Sequence, residues 1–186
     1  MHPASAGVSG NTPNLGARFS AASRRKASAI MHTGSGHIFS EIMLHLNWHC
    51  KYDQPMITPQ IEPALMQFLQ EYCRKVKGVH YIDSGNTEDH VHLLFQLEPL
   101  ALIEDFIGKI KGASSHEMNK QFGSGKLRWQ RGYGIVSYSK KRLESLMRYV
   151  RNQKAHHLNG TTNPTLEEHG VDDSEGEPEC NPGSNG

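Results

Sequence analysis

Asp89-His90-Val91-His92-Leu93-Leu94-Phe95 decides the fold. Its polar and apolar residues alternate, which predicts a β-strand. Alternation places Val91, Leu93 and Phe95 on one face and His90 and His92 on the other. Two imidazoles at i and i+2 can converge on one metal ion while the opposite face is anchored in a core. With 12 histidines in 186 residues, about one His-x-His is expected by chance, so the pair needs further support.

Upstream of this strand, Ser84-Gly85-Asn86 reads as the turn of a hairpin whose first strand is 79–83. Pro99 closes the strand on its far side. Residues 42–49 form another strand-like stretch, with Leu44, Leu46 and Trp48 on one face and His45 and His49 on the other. Residues 51–59 are turn-rich, and Pro59 suits a helix start. Ile61, Leu65, Phe68, Leu69 and Tyr72 then recur at helical spacing, up to about Lys77-Gly78. Leu102, Ile103, Phe106, Ile107 and Ile110 mark a second helix, running to about Lys120. A loop at 122–125 leads to Trp129-Gln130-Arg131-Gly132-Tyr133-Gly134 and a strand at 135–138. Ser139 can cap a last helix spanning 143–153.

The order β-α-β-β-α-β-α follows. Its first six elements match the split βαβ plan. The fold class is α+β: a ferredoxin-like (RRM-like) antiparallel four-stranded sheet with helices on one face, plus a C-terminal catalytic helix. Residues 1–36 are rich in Gly, Ser, Ala and Pro and read as a disordered extension. The folded domain is 37–158, and 159–186 reads as a disordered acidic tail.

A formal net charge of +1 hides a strong asymmetry. Between Lys126 and Lys154 every charged side chain but Glu144 is basic, whereas 159–186 holds acids and no Lys or Arg. The basic stretch is a footprint for a polyanion. Lys126, Arg128, Arg131, Lys140, Lys141, Arg142, Arg148 and Arg151 are candidate phosphate contacts. Trp129 is a candidate for stacking on unpaired bases. Cys50, Cys73 and Cys180 are too widely spaced for a disulfide framework or a zinc ribbon. With no membrane-length apolar run and no signal core, a cytoplasmic protein is expected, with no membrane partner.

The last helix carries the second half of the chemistry. Leu143, Leu146, Met147 and Val150 form its apolar stripe, and Tyr149 and Gln153 lie one turn apart on the stripe's flank. A free phenol has a pKa of about 10 and is a poor nucleophile at neutral pH. A divalent cation on imidazole nitrogens and an amide oxygen can polarise a phosphodiester for attack by tyrosine. No Gly-x-x-x-x-Gly-Lys loop is present, and an energy-conserving tyrosine exchange needs no nucleotide triphosphate.

These stretches together resemble the single-tyrosine transposases of the insertion sequence 200/605 family, within the HUH (His-hydrophobe-His) nucleases. Leu44-His45-Leu46-Asn47-Trp48-His49-Cys50-Lys51-Tyr52, Asp89-His90-Val91-His92-Leu93-Leu94 and Lys111-Gly112-Ala113-Ser114-Ser115 carry the resemblance. So do Trp129-Gln130-Arg131-Gly132-Tyr133-Gly134 and Tyr149-Val150-Arg151-Asn152-Gln153 with His156-His157. It covers roughly residues 42–158.

The resemblance implies cleavage and rejoining of single-stranded DNA at hairpin-containing element ends, through a 5′ phosphotyrosine. It implies His90, His92 and Gln153 as metal ligands, Tyr149 as nucleophile, and Mg2+ or Mn2+ as cofactor. It also implies a homodimer whose active sites are completed in trans. The alternative is a decayed or host-retained relative that binds structured single strands without cutting them. A generic RNA-binding ferredoxin-like domain lacks support, because no aromatic pair stands out on adjacent strands.

Overall fold

The structure, a computed structural model, describes residues 40–99 and 101–170. The expectations for 1–36 and for 171–186 lie outside the described residues. Four strands, β1 (Ile42–His49), β2 (Val79–Asn86), β3 (His90–Leu97) and β4 (Gly134–Tyr138), form one sheet. Their order is β2-β3-β1-β4, and every neighbouring pair is antiparallel. Among the described residues five α-helices accompany the strands: α1 (Glu62–Lys75) between β1 and β2, α2 (Ile103–Phe122) between β3 and β4, and α3 (Leu143–Arg151), α4 (Gln153–Leu158) and α5 (Pro164–Glu167) after β4. The expected ferredoxin-like α+β plan is the one observed.

The alternation read from the sequence sorts the sheet into two faces. Leu44, Leu46 and Trp48 of β1 and Val91, Leu93, Phe95 and Leu97 of β3 pack with α1 and α2 in the main core. From α1 come Leu65, Leu69 and Cys73, and from α2 Phe106, Ile107, Ile110 and Met118. His45, Asn47, His90 and His92 alternate with these residues and are all buried. They share the other face with α3, whose Leu143, Leu146, Met147 and Val150 are buried. Each such side chain contributes roughly 1.5–3 kcal/mol when removed from water. A nine-residue helix is marginal alone, so this apolar stripe holds α3 in place.

Several local readings need correction. Ser84-Gly85-Asn86 is not the hairpin turn; it pairs with Leu93, His92 and Val91 as the end of β2. The turn is Thr87 to Asp89, closed by Thr87 Oγ1 donating to Asp89 Oδ1 at 2.6 Å. Gly85 serves packing instead: a Cβ there would run into the Val150 carbonyl of α3. α1 begins at Glu62 rather than Pro59, with a proline in its first turn. Ser139 makes no side-chain cap; a short 3-10 turn, Lys140–Arg142, precedes α3.

The last helix also breaks. Asn152, at φ −105 and ψ 23, separates α3 from α4. Gln153 therefore starts a new helix and is buried, at 1% exposure, rather than lying on a helix flank.

Residues 159–170 are ordered, against the expectation of a disordered tail from 159. Asn163 Oδ1 accepts from Thr165 N at 3.1 Å and caps α5. Leu166 is buried, and Gly170 N donates to the Tyr133 carbonyl at 3.2 Å. Gly132 and Gly134 explain the aromatic-glycine motif. A Cβ on either would strike the backbone of Gly170 or Glu168. The two glycines thus form a backbone cradle for the returning segment.

Candidate active site

His90 and His92 stand on the α3-facing side of β3 with their Nδ1 atoms tied down. His90 Nδ1 donates to Asp89 Oδ1 at 2.7 Å, with Thr87 Oγ1 at 2.8 Å. His92 Nδ1 and His45 Nε2 share a hydrogen bond of 2.7 Å. Both Nε2 atoms are left buried with no hydrogen-bond partner. Fixing one ring nitrogen to aim the other is how metal-ligating histidines are oriented.

The neighbours also set protonation. Burial first, then His92, pushes the His45 imidazole down to about 3. His45 is therefore neutral and can accept from His92. Burial holds His92 below the ordinary value too, outweighing the attraction of Glu167. Burial opposes the charge on His90, but its hydrogen bond to Asp89 and the attraction of the nearby Glu167 carboxylate outweigh it and raise the group.

Tyr149 of α3 lies beside this pair in the same chain. Its ring is edge-on to His92, with centroids 6.3 Å apart, and is stacked on His156 at 4.6 Å. Its hydroxyl donates to Glu167 Oε1 and accepts from Asn163 N at 2.9 Å. Burial, helped by the Glu167 carboxylate, pushes the phenol up to about 12. In this arrangement the phenol is protonated and engaged.

Gln153 is buried, with both carboxamide atoms lacking a hydrogen-bond partner. Buried polar atoms without protein partners are costly, about 1–3 kcal/mol each, so each calls for a water, an ion or a ligand. The orphaned His90 Nε2 and His92 Nε2, and the orphaned Gln153 carboxamide, are donors of the types that would suit the divalent cation implied by the resemblance.

Glu167 of α5 was not singled out in the sequence. Its Oε2 lies 3.4 Å from His90 Nε2, 3.3 Å from His92 Nε2 and 3.4 Å from His157 Nε2. Burial opposes its charge, but the nearby His90 and His92 imidazoles outweigh that and hold the carboxyl well below the usual carboxylate range. His157 stood in a quoted motif without a role. Asp53 and His49 form a side cluster, joined Nδ1 to Oδ1 at 2.7 Å, and His49 stacks on His90 at 4.5 Å.

The expected DNA contacts divide. Lys126, Arg128, Arg131, Lys141, Arg142 and Arg148 are exposed. Arg142, Tyr138 and Tyr149 line a cleft of about 390 Å³ between β4 and α3. Arg151 is instead bound to Asp83, Nε to Oδ2 at 2.6 Å, and fastens α3 to β2. Lys140 faces Glu41 at 3.2 Å. Trp129 is not a free stacking platform. Its indole packs edge-on against Trp48 and its Nε1 donates to Ser114 Oγ at 3.0 Å. Among the described residues no helix is long and apolar enough to cross a membrane.

Comparison with known proteins identifies the family and the fold. The family model described as "Transposase IS200 like" matches residues 38–153. The ISDra2 transposase TnpA of Deinococcus radiodurans is 27% identical over 130 residues, covering 66% of this chain and 91% of that one. The transposase of insertion sequence element IS200 from Salmonella typhimurium is 27% identical over 125 residues, covering 60% and 81%. A crystal structure of a Deinococcus radiodurans protein described as a transposase superposes with a TM-score of 0.54 at 26% identity. It covers 66% of this chain and 98% of that one. A REP-associated tyrosine transposase bound to a REP hairpin shares the fold, with a TM-score of 0.50 at 12% identity over 71% and 76%. With more than half of its length matched by the family model, the chain belongs to the IS200-like transposases, a family of DNA-cleaving enzymes.

Proposed function

We propose that this chain cuts and rejoins single-stranded DNA at hairpin-bearing ends through a covalent bond between Tyr149 and a 5′ phosphate. His90, His92 and Gln153 would hold a divalent cation, Mg2+ or Mn2+. The observation that carries this reading is the placement of Tyr149 beside two orphaned, pre-aimed imidazole nitrogens. When bound, the cation supplies Lewis-acid polarisation of the scissile phosphate.

The chain's own residues do the rest. Asp89 and Thr87 orient His90, and His45 orients His92. In attack, the Tyr149 oxygen forms a bond to phosphorus and the bond from phosphorus to the 3′ oxygen breaks. The phenol gives its proton to solvent, and the departing 3′ oxygen takes one up. The Glu167 carboxylate must first yield its place, because it now holds the phenol and would repel a phosphate. The exposed cations from Lys126 to Arg148 would carry the strand. The hairpin in the REP-associated relative's structure supports a hairpin partner here.

We further infer a homodimer in which α3 is exchanged, so that Tyr149 of one copy serves the histidines of the other. The single chain holds α3 in cis, through the Gly85 contact and the Arg151–Asp83 pair. Exchange would therefore accompany activation.

The test uses hairpin-bearing single strands taken from the DNA flanking the gene. Wild type with Mg2+ or Mn2+ should give a protein–DNA adduct on a denaturing gel. Tyr149→Phe should bind the strand and give none. Cleavage by Tyr149→Phe at the wild-type rate would refute the nucleophile. Binding without any wild-type adduct would favour the binding-only alternative. Mixing Tyr149→Phe with a His90→Ala/His92→Ala variant should restore adduct; its continued absence would rule out trans completion.

A further inference from the structure

We propose that Glu167 and His157 join His90 as direct ligands of a cation at the histidine pair, closing the site with two imidazoles and one carboxylate. This rests on the reading of the histidine pair as a cation site given above.

Distances carry the argument. Glu167 Oε2 meets the Nε2 atoms of His90, His92 and His157 at 3.4, 3.3 and 3.4 Å. These separations exceed the roughly 2.7–3.2 Å of an N–H···O hydrogen bond. Glu167 Oε2, His90 Nε2 and His92 Nε2 are all buried without a hydrogen-bond partner. Two donors at about 2.0–2.1 Å from one ion, at a tetrahedral angle, lie roughly 3.4 Å apart. Glu167 Oε2 has that spacing from His90 Nε2 and His157 Nε2, and these three residues form a group compact enough for one ion, to which His92 does not belong. His90, His157 and Glu167 offer ligand atoms within 4.8 Å of one another.

The segment that delivers Glu167 is built to do so. Asn163 caps α5, and Leu166 is buried beside Glu167. Beyond it, Glu168 and Gly170 lie against the Gly132 and Gly134 cradle. His169 Nδ1 donates to the Glu167 carbonyl at 3.1 Å.

The donor set has a chemical preference. Magnesium favours oxygen ligands and retained water in octahedral geometry. Two imidazole nitrogens and one carboxylate, with a fourth position open, suit zinc and its neighbours. The site would then have two modes. Closed by Glu167 and His157, it takes a zinc-type ion. Opened, with Gln153 as the third donor, it takes the magnesium or manganese of the cleavage reaction.

The experiment titrates the full chain with Co2+, followed by visible absorption, and with Zn2+ and Mg2+ by calorimetry. Four-coordinate Co2+ absorbs strongly, and six-coordinate Co2+ weakly. Wild type should bind one equivalent with the strong band. Glu167→Gln and His157→Ala should each lose that band and bind Zn2+ about tenfold or more weakly, with Mg2+ affinity within about twofold. Circular dichroism checks folding, and His157 is exposed enough for its variant to fold. If both variants bind Co2+ and Zn2+ as wild type does, the proposal is overturned. In that case, loss of the ion in His90→Ala/His92→Ala leaves the histidine-pair reading standing. Retention of the ion there, or no ion bound by wild type, overturns both.

Discussion

His45 and Thr87 decide which nitrogens of the paired histidines face the site. His45 Nε2 meets His92 Nδ1 at 2.7 Å, and Thr87 Oγ1 lies 2.8 Å from His90 Nδ1. A partner of this kind is worth about 10–100-fold in metal affinity. His45→Ala should therefore weaken divalent-cation binding by about that factor in calorimetry. Unchanged affinity would mean that His45 is only a packing residue. At this scale the sequence was partly legible. Alternation put His90 and His92 on one face of β3, as observed, whereas the one-turn spacing of Tyr149 and Gln153 assumed a continuous helix that Asn152 breaks. Glu167 was hidden because an acidic, Pro- and Gly-rich stretch looks solvated, and Leu166 is its buried apolar anchor among the described residues. Only the fold brings a carboxylate from position 167 to a strand at position 90. Trp129 could be read as a base platform or as a packing residue; its edge contact with Trp48 and its Nε1 bond to Ser114 favour packing for a ring that stays partly exposed.

The placement of α3 is a matter of one backbone contact and one ion pair. A methyl group at Gly85 would meet the Val150 carbonyl, and a carbonyl cannot swing aside as a flexible side chain can. Gly85→Ala should lower stability by about 1–3 kcal/mol in urea unfolding. It should also lower adduct yield, since Tyr149 lies one residue before Val150. Stability and yield equal to wild type would show that α3 does not rest on β2. Element order and the main helices followed from periodicity, because amphipathic stripes and alternating strands report the core directly. The hairpin turn and the break at Asn152 did not. Thr87 and Asp89 close the turn by side-chain hydrogen bonds, which a glycine-centred turn reading overlooks.

Taken whole, the molecule keeps its apolar core on one side of the sheet and its chemistry on the other. Six exposed cations, Lys126, Arg128, Arg131, Lys141, Arg142 and Arg148, remain for a nucleic-acid strand. If all contact phosphates, log affinity for single-stranded DNA should fall with log salt at a slope of about −4, from roughly −0.7 per phosphate. Replacing Arg142 and Arg148 by Ala should flatten that slope by about 1.4. A salt-independent affinity would place binding elsewhere.

The central claim is that one tyrosine, Tyr149, carries the DNA. Mass spectrometry of the proteolysed adduct, formed with wild-type protein, divalent cation and a hairpin-bearing single strand, tests it most directly. The account predicts a 5′-phosphonucleotide on the peptide containing Tyr149. An adduct on any other tyrosine, or cleaved DNA with no adduct at all, would contradict it.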